Sequence, residues 1–414
     1  MVQKINPKND RRHFLKTSAT ALAAAQLMGT GAWAGANEKV RVAVVGVHGQ
    51  GRTHIRQYLE INEAELAALC DVDENVLDKA CEELIVSKGL PKPKLFWNYR
   101  ELLEDPSIDA VSFATPNHWH SLQAIWGCQA GKHVYVEKPL SHNIWEGRQL
   151  VKAARKYNRI VQHGTNSRSS DGVREAVRLL REGVIGDVYM AKGLCYKWRD
   201  TIGHTPDEPV PPGVHYDQWI GPAPERPFSR NRFHYNWHWQ WPYGNGDIGN
   251  QGIHQMDVAL WGLGVKLPGK VQAMGRHFMF DDDQTTPNVL LTSMEYPDEE
   301  KMLVFEVRHW ITNHEGEIGK GPDNTTGNLF YGSEGYMVIE GGSYRTCLGK
   351  ERKPGPSGSG GGNNWQNFID AVLSGDPKKQ NVDVEDGHLS CVLFHLANIA
   401  YRVGRTIEVD VESE

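Results

Sequence analysis

Lys138 follows the run Val134-Tyr135-Val136-Glu137 and precedes Pro139-Leu140. A short strand of Val and Tyr carries such a lysine to the carboxyl edge of a parallel sheet, where open α/β folds bind their ligands, and the proline fixes the exit from the strand. An ammonium in that place, once desolvated, titrates closer to neutrality and serves proton transfer. A lone lysine at a strand end is more often a solvated surface group. This one stands about 90 residues after a glycine-rich turn, Gly46-Val47-His48-Gly49-Gln50-Gly51-Arg52, which directly follows the apolar run Val40–Val45. A dinucleotide turn needs glycine where the chain bends, where backbone meets pyrophosphate and where helix packs on strand. Gly46 and Gly51 fill the first and third places. His48 occupies the second, with Gly49 one residue late, so the strict fingerprint is broken and its context must support it.

That context is a second strand from Ala64 to Cys70 ending at Asp71, about 20 residues beyond Gly51. A carboxylate there accepts hydrogen bonds from ribose hydroxyls and repels a 2′-phosphate, which favours NAD over NADP. A later strand, Ala110 to Ala114, ends in Thr115-Pro116-Asn117-His118, a turn expected at the same sheet edge. The cofactor candidates are therefore Gly46, His48, Gly49, Gln50, Gly51, Arg52, Asp71, Thr115, Asn117, His118, Glu137 and Lys138.

A second set of polar and aromatic groups lies downstream. Phe233-His234-Tyr235-Asn236-Trp237-His238-Trp239-Gln240-Trp241 precedes a glycine-rich stretch that holds Asp247 and Asn250 and ends in His254-Gln255-Met256-Asp257. Aromatic faces stack on sugar rings while neighbouring His and Asn bond the hydroxyls, so Trp237, His238 and Asn250 are candidate carbohydrate contacts. The competing reading is that these rings pack a loop against a sheet. Asp257, three residues after His254, shares its helical face and either binds a substrate hydroxyl or caps local structure. Arg168 completes the substrate candidates.

These groups are positioned by alternating elements. Helices are expected at Glu74–Lys88, Tyr99–Leu103, His120–Ala130 and Trp145–Tyr157, with strands at Lys94–Phe96 and Ile160–Gly164. Such alternation gives parallel strands joined by right-handed crossovers, a doubly wound Rossmann sheet over residues 38–164. Residues 165–414 read as a second α/β domain with an open, mostly antiparallel sheet. Its expected elements are a helix at Gly172–Glu182, strands at Val188–Leu194, Asn288–Tyr296, Lys301–Trp310 and Gly335–Ile339, a flexible loop at Pro354–Gly362 and a final helix at His388–Arg402.

Composition bounds the function. The 414 residues, 39% hydrophobic and 23% charged, are those of a soluble globular chain with room for two domains. A net charge of −6 offers no basic field for nucleic acid. Cys70, Cys81, Cys128, Cys195, Cys347 and Cys391 have no paired spacing, so they indicate neither a disulfide scaffold nor a metal cluster. Residues 1–34 read as a targeting segment: Arg11-Arg12 before Phe14-Leu15-Lys16, an apolar stretch from Ala21 to Trp33, and Ala32-Trp33-Ala34 as a small-x-small cleavage pattern. The apolar stretch is too short and too rich in Ala and Gly for a membrane span. The paired arginines resemble a twin-arginine signal, which predicts export of the folded protein to the periplasm and cleavage after Ala34.

Taken in order, the glycine turn with Asp71, the Thr115-Pro116-Asn117-His118 turn, Glu137-Lys138-Pro139 and the stretch ending His254-Gln255-Met256-Asp257 resemble the Gfo/Idh/MocA family of nicotinamide-dependent oxidoreductases. The resemblance implies a Rossmann domain followed by an α/β domain that supplies substrate contacts and an oligomer interface, hence a dimer or tetramer. It also implies that Lys138 and His254 are catalytic, facing the reacting carbon beside the nicotinamide. Many members have an aspartate four residues before the histidine; here that place holds Asn250, which cannot take a proton.

Three functions compete. An NAD-dependent oxidoreductase would transfer hydride at a ring carbinol of a sugar or sugar derivative. Because an exported protein has no free NAD pool, its cofactor would be held tightly and regenerated within each cycle, which also suits an NAD-dependent glycosidase working by transient oxidation, elimination, hydration and re-reduction. A non-catalytic sugar-binding protein is the third reading, and Lys138 argues against it.

Overall fold

In the computed structural model, which describes residues 39–310, 318–319 and 324–412, the chain opens with β1 (Val40–Val45), whose valines are buried on both faces. The Arg11-Arg12 pair and the cleavage point after Ala34 lie outside the described residues. β1 pairs in parallel with β2 (Ala64–Cys70) and β4 (Ala110–Phe113); β3 (Lys94–Phe96), β5 (His133–Val136) and β6 (Val161–His163) complete a parallel sheet of order β3-β2-β1-β4-β5-β6. Strands covered on both sides read as continuous apolar runs, and each buried Val contributes roughly 1.5–3 kcal/mol relative to exposure. This is the Rossmann order, with the strand-order reversal at β1/β4, beside which a crevice forms at the carboxyl edge.

Helices appear at Gln50–Glu60, Glu74–Leu84, Tyr99–Glu104, Asn117–Gln129 and Ile144–Lys156. The fourth begins three residues before the expected His120. Pro116 supplies its fixed φ of −64° just before the first turn, so Asn117 and His118 are drawn into the helix instead of remaining in a turn.

The second sheet has the order β14-β13-β12-β11-β7-β10-β9-β8-β15. Its strands are β7 (Val188–Lys197), β8 (Lys270–Arg276), β9 (Val289–Tyr296), β10 (Lys301–His309), β11 (Asn324–Gly332), β12 (Gly335–Glu340), β13 (Ser343–Leu348), β14 (Lys353–Ser359) and β15 (Ile407–Glu408). All pairings are antiparallel except β7 with β10. β14 corrects the expected loop at Pro354–Gly362: the Pro- and Gly-rich segment is an edge strand, where a missing N–H can face solvent. A helix at Asn364–Ser374, capped by the Asn363 side chain, was not expected from the sequence. The final helix spans Val384–Val403. One apolar cluster runs through both sheets, from Ala43 and Val111 to Leu303 and Phe330. Five of the six cysteines are buried. No helix among the described residues is long and apolar enough to cross a membrane.

Candidate active site

The glycine turn is where the cleft begins. Gly46 has φ +81°, and a Cβ there would meet Ala114 O at 2.8 Å. At Gly51 a Cβ would stand 1.8 Å from Gly46 O, so only glycine lets the helix pack this close to the turn. Gly49 caps the helix Gln50–Glu60 without a side-chain bond, leaving the first amides free for an anion. Asp71 ends β2 at the same edge; its Oδ2 accepts from Val47 N at 2.7 Å and its Oδ1 from Asp73 N at 3.0 Å. Burial raises its carboxyl to about 6 against those two bonds. Bent glycine turn, open helix end and carboxylate fit a dinucleotide, and Gly46, His48, Gly49, Gln50, Asp71 and Thr115 line the cleft that would hold it. Replacing Gly51 with alanine forces the turn and helix apart. Such overpacking costs about 1–3 kcal/mol, and the variant is expected to lose both thermal stability and bound NAD, measured together by thermal melting and dinucleotide content.

The cleft continues past Lys138 to the second sheet, with a volume of about 460 Å³. Lys138 Nζ donates to Asn250 O at 3.0 Å and Asn250 Oδ1 at 3.1 Å. Asn250 Nδ2 in turn donates to Asp247 Oδ1 at 3.2 Å. Asp247 is fully buried and accepts from Arg199 Nε and Nη2, each at 2.8 Å, while His309 Nε2 lies 2.9 Å from its Oδ2. Burial disfavours the Asp247 charge, but Arg199 and His309 outweigh it and hold the carboxyl well below its usual range. This carboxylate fixes the Asn250 amide so that its oxygen faces Lys138. Burial lowers the Lys138 pKa, with Glu137 and Asp247 opposing.

Glu137, beside it, is buried yet ionised. His54 Nε2 lies 3.0 Å from its Oε1, and His54 with Lys138 outweighs desolvation to bring the carboxyl down to about 2. Gln50 Nε2 donates to the same oxygen at 3.3 Å. His254 lies within electrostatic reach of Lys138 and Glu137 and is pushed down to about 3, first by burial and then by the Lys138 charge. Its imidazole is neutral at pH 7, and its buried Nδ1 has no hydrogen-bond partner among the described residues. His254 is not itself among the cleft-lining residues.

The aromatic segment both lines the cleft and packs a small core. Trp237, Tyr235 and His238 line the cleft, while Trp237 also joins Tyr216, Trp219, Phe228, Phe233 and Tyr243 in a small core. His238 stacks on Trp237 with ring centres 3.6 Å apart, and burial pushes it down to about 3. The neighbouring segment ties down the loop after β2. Glu74 N donates to Gly213 O at 2.9 Å, His215 N to Val72 O at 2.8 Å, and Asn75 Nδ2 to Pro212 O at 3.0 Å. His234 Nε2 lies 3.0 Å from Asp73 Oδ2, and its ring stacks on His48 at 4.2 Å. The second-sheet portion of the chain thus reaches across the adenosine end of the cleft.

Besides His254, six expected contacts lie outside the cleft lining. Gly51 packs under the turn against Gly46 O. Arg52 pairs with Glu83 on the outer face of its helix. Asn117 bonds Asn245 Oδ1 at 3.1 Å, and His118 Nε2 lies 3.0 Å from Trp219 O within the aromatic core, both buried by the early helix start. Arg168 and Asp257 pair with each other, Nη2 to Oδ1 at 2.8 Å, with Asp257 fully buried. Conversely, Lys197, Arg199 and His309 were not singled out from the sequence. β7 extends three residues beyond the expected Leu194, and its parallel register with β10 sets His309 opposite Lys197.

The Gfo/Idh/MocA oxidoreductase-family model for the NAD-binding Rossmann fold matches residues 40–165, and that for the family's C-terminal alpha/beta domain matches residues 172–286, together more than half of the chain. The chain belongs to the Gfo/Idh/MocA oxidoreductase family. Its first domain is an NAD-binding Rossmann domain. Among relatives, a Glycosyl hydrolase family 109 protein 1 of Shewanella sp. strain MR-4 is 35% identical over 155 residues, 36% of this chain and 34% of that protein. The Alpha-N-acetylgalactosaminidase of Shewanella oneidensis is 32% identical over the same length and shares. The chain thus spans about a third of the length of these curated relatives. The fold is shared with the WlbA dehydrogenase of Bordetella pertussis in complex with NADH and UDP-GlcNAcA, at TM-score 0.66 and 18% identity over 90% of this chain and 100% of that one. It is shared equally with the aldose-aldose oxidoreductase of Caulobacter crescentus, at TM-score 0.66 and 19% identity over 90% and 100%.

Proposed function

We propose that this protein is an NAD-dependent oxidoreductase acting at a ring carbinol of a sugar or sugar derivative. The observation that carries this reading is Lys138, which lines the same cleft as the glycine turn and whose Nζ, among the described residues, bonds the neutral oxygens of Asn250. NAD, when bound, supplies a hydride acceptor. Gly46, Gly49 and the amides at the start of the helix Gln50–Glu60 would hold its pyrophosphate, and Asp71 the adenosine ribose. Lys138, desolvated and depressed in pKa, receives the hydroxyl proton from the substrate. Asn250, oriented by Asp247, keeps the lysine nitrogen in place without competing for that proton, since an amide does not accept one. His254, neutral and behind the cleft wall, leaves Lys138 as the proton acceptor that reaches the substrate. Trp237 and Tyr235 supply faces for the sugar ring.

The segment drawn over the adenosine end supports a cofactor retained through the catalytic cycle. The paired arginines and Ala34 cleavage pattern support export to the periplasm by the twin-arginine route, where retention is needed. A redox-neutral glycosidase is the second reading, favoured by similarity to the glycosyl hydrolase family 109 proteins. Both readings meet one experiment: the purified protein, with whatever dinucleotide it carries, is incubated with free aldoses and aryl glycosides in heavy water. Dehydrogenation yields an oxidised sugar and a reduced dinucleotide or second sugar. Glycosidase action releases the aryl group, incorporates solvent deuterium beside the transient ketone and leaves no net reduced dinucleotide. Failure to convert any sugar in either mode would rule out the proposed function.

A further inference from the structure

Charge is divided unequally along the cleft. Its lining carboxylates, Asp71 and Glu137, both stand at the edge of the first sheet, and both are engaged: Asp71 by the amides of Val47 and Asp73, Glu137 by Gln50 and His54. The opposite wall carries cations. Lys197 is the last residue of β7 and Arg199 follows two residues later; both line the cleft facing Lys138. Arg199 is neutralised by the bidentate bond to Asp247, with its guanidinium also over the Trp239 ring at 4.7 Å. Lys138 has the Asp247 and Glu137 charges nearby, and both Arg199 and Lys197 act on it as like charges. Lys197 has no ion pair or side-chain hydrogen bond among the described residues, although it is half-buried.

A half-buried ammonium without a counter-ion is unfavourable unless a ligand brings one, and lysine is suited to an anion approached as a point charge. The cofactor's phosphates do not meet this need, because the amides for them lie at the glycine turn on the other sheet. We infer that the substrate is an anionic sugar, bearing a carboxylate, sulfate or phosphate that docks on Lys197 with Arg199 beside it. This rests on the sugar reading above and specifies its substrate class. Trp237, Tyr235 and His238, on the same side, would receive the uncharged part of the ring.

The test uses the dinucleotide-loaded protein and matched ligands: methyl glucoside, methyl glucuronide, methyl glucoside 6-sulfate and methyl glucoside 6-phosphate, with affinity read by calorimetry at two salt concentrations. At least one anionic ligand is expected to bind about tenfold or more tighter than methyl glucoside, with the advantage shrinking at high salt. The preferred ligand distinguishes carboxylate from sulfate and phosphate. In Lys197→Gln the anionic-to-neutral preference is expected to fall about ten- to a hundredfold, while Lys197→Arg keeps most of it. Unchanged dinucleotide content and circular dichroism in both variants exclude misfolding. Equal affinity for neutral and anionic ligands, or an unaltered preference in Lys197→Gln, overturns the inference and leaves the sugar reading standing. No binding of any sugar overturns both.

Discussion

Replacing Lys138 with alanine is expected to lower turnover by about a hundred- to ten-thousandfold, the range that a positioned proton-transfer group supplies, while the dinucleotide stays bound. The separation follows from geometry. Among the described residues Lys138 Nζ bonds only Asn250, whereas the glycine turn, Gln50 and Asp71 form the cofactor edge without it. Lys138→Arg keeps the charge but not the proton exchange, because guanidinium does not deprotonate in this range, so it is expected to be nearly as inactive. In the unaltered protein the rate should rise with pH as Lys138 loses its proton. Burial lowers the lysine pKa, so this limb falls below the ordinary lysine range. The measurements are kcat, bound dinucleotide and the pH profile of each variant. A Lys138→Ala protein that retains full turnover would remove Lys138 from the chemistry.

Asp257→Ala is expected to destabilise the fold by about 3–5 kcal/mol, the cost of removing one partner from a buried ion pair. Asp257 accepts from Arg168 Nε at 3.0 Å to each oxygen and from Ser390 Oγ at 2.6 Å, and Arg168 is itself buried, with Asp386 at 3.0 Å its other acid among the described residues. Without Asp257 the guanidinium remains desolvated beside the half-exposed Asp386 and the Trp261 ring. Denaturant unfolding should therefore show a large loss, while KM for a turned-over sugar stays close to that of the unaltered protein. Normal stability with a raised KM would instead return Asp257 to the substrate site.

These two residues show what the sequence could and could not reveal. Lys138 was legible because its neighbours are local: an apolar strand, a proline and the register of a parallel sheet place it at the carboxyl edge. The Gly46–Gly51 turn and Asp71 were legible for the same reason, the broken fingerprint notwithstanding, since His48 still lines the cleft. Asp257 has the right spacing to share the face of His254, but spacing within a helix does not reveal that Arg168 arrives from the segment after β6. Asn117 and His118 were misplaced by a local boundary, the helix starting at Asn117 rather than three residues on. Lys197, Arg199 and His309 escaped notice because what unites them is the parallel pairing of β7 with β10, over a hundred residues apart, within a sheet that is otherwise antiparallel. Asp247 shows the same limit: its role depends on Arg199 and His309, neither of them near it in sequence.

The most direct test of the account follows hydrogen itself. The purified protein is dialysed, its released dinucleotide counted after denaturation, and a second portion is incubated with a converted sugar deuterated at every ring carbon before the same extraction. The account predicts about one NAD per chain and, in a portion quenched during turnover, deuterium in the extracted nicotinamide. A chain that converts the sugar with no dinucleotide bound, or with none of the deuterium reaching it, would contradict the claim that this cleft performs hydride chemistry on a sugar ring.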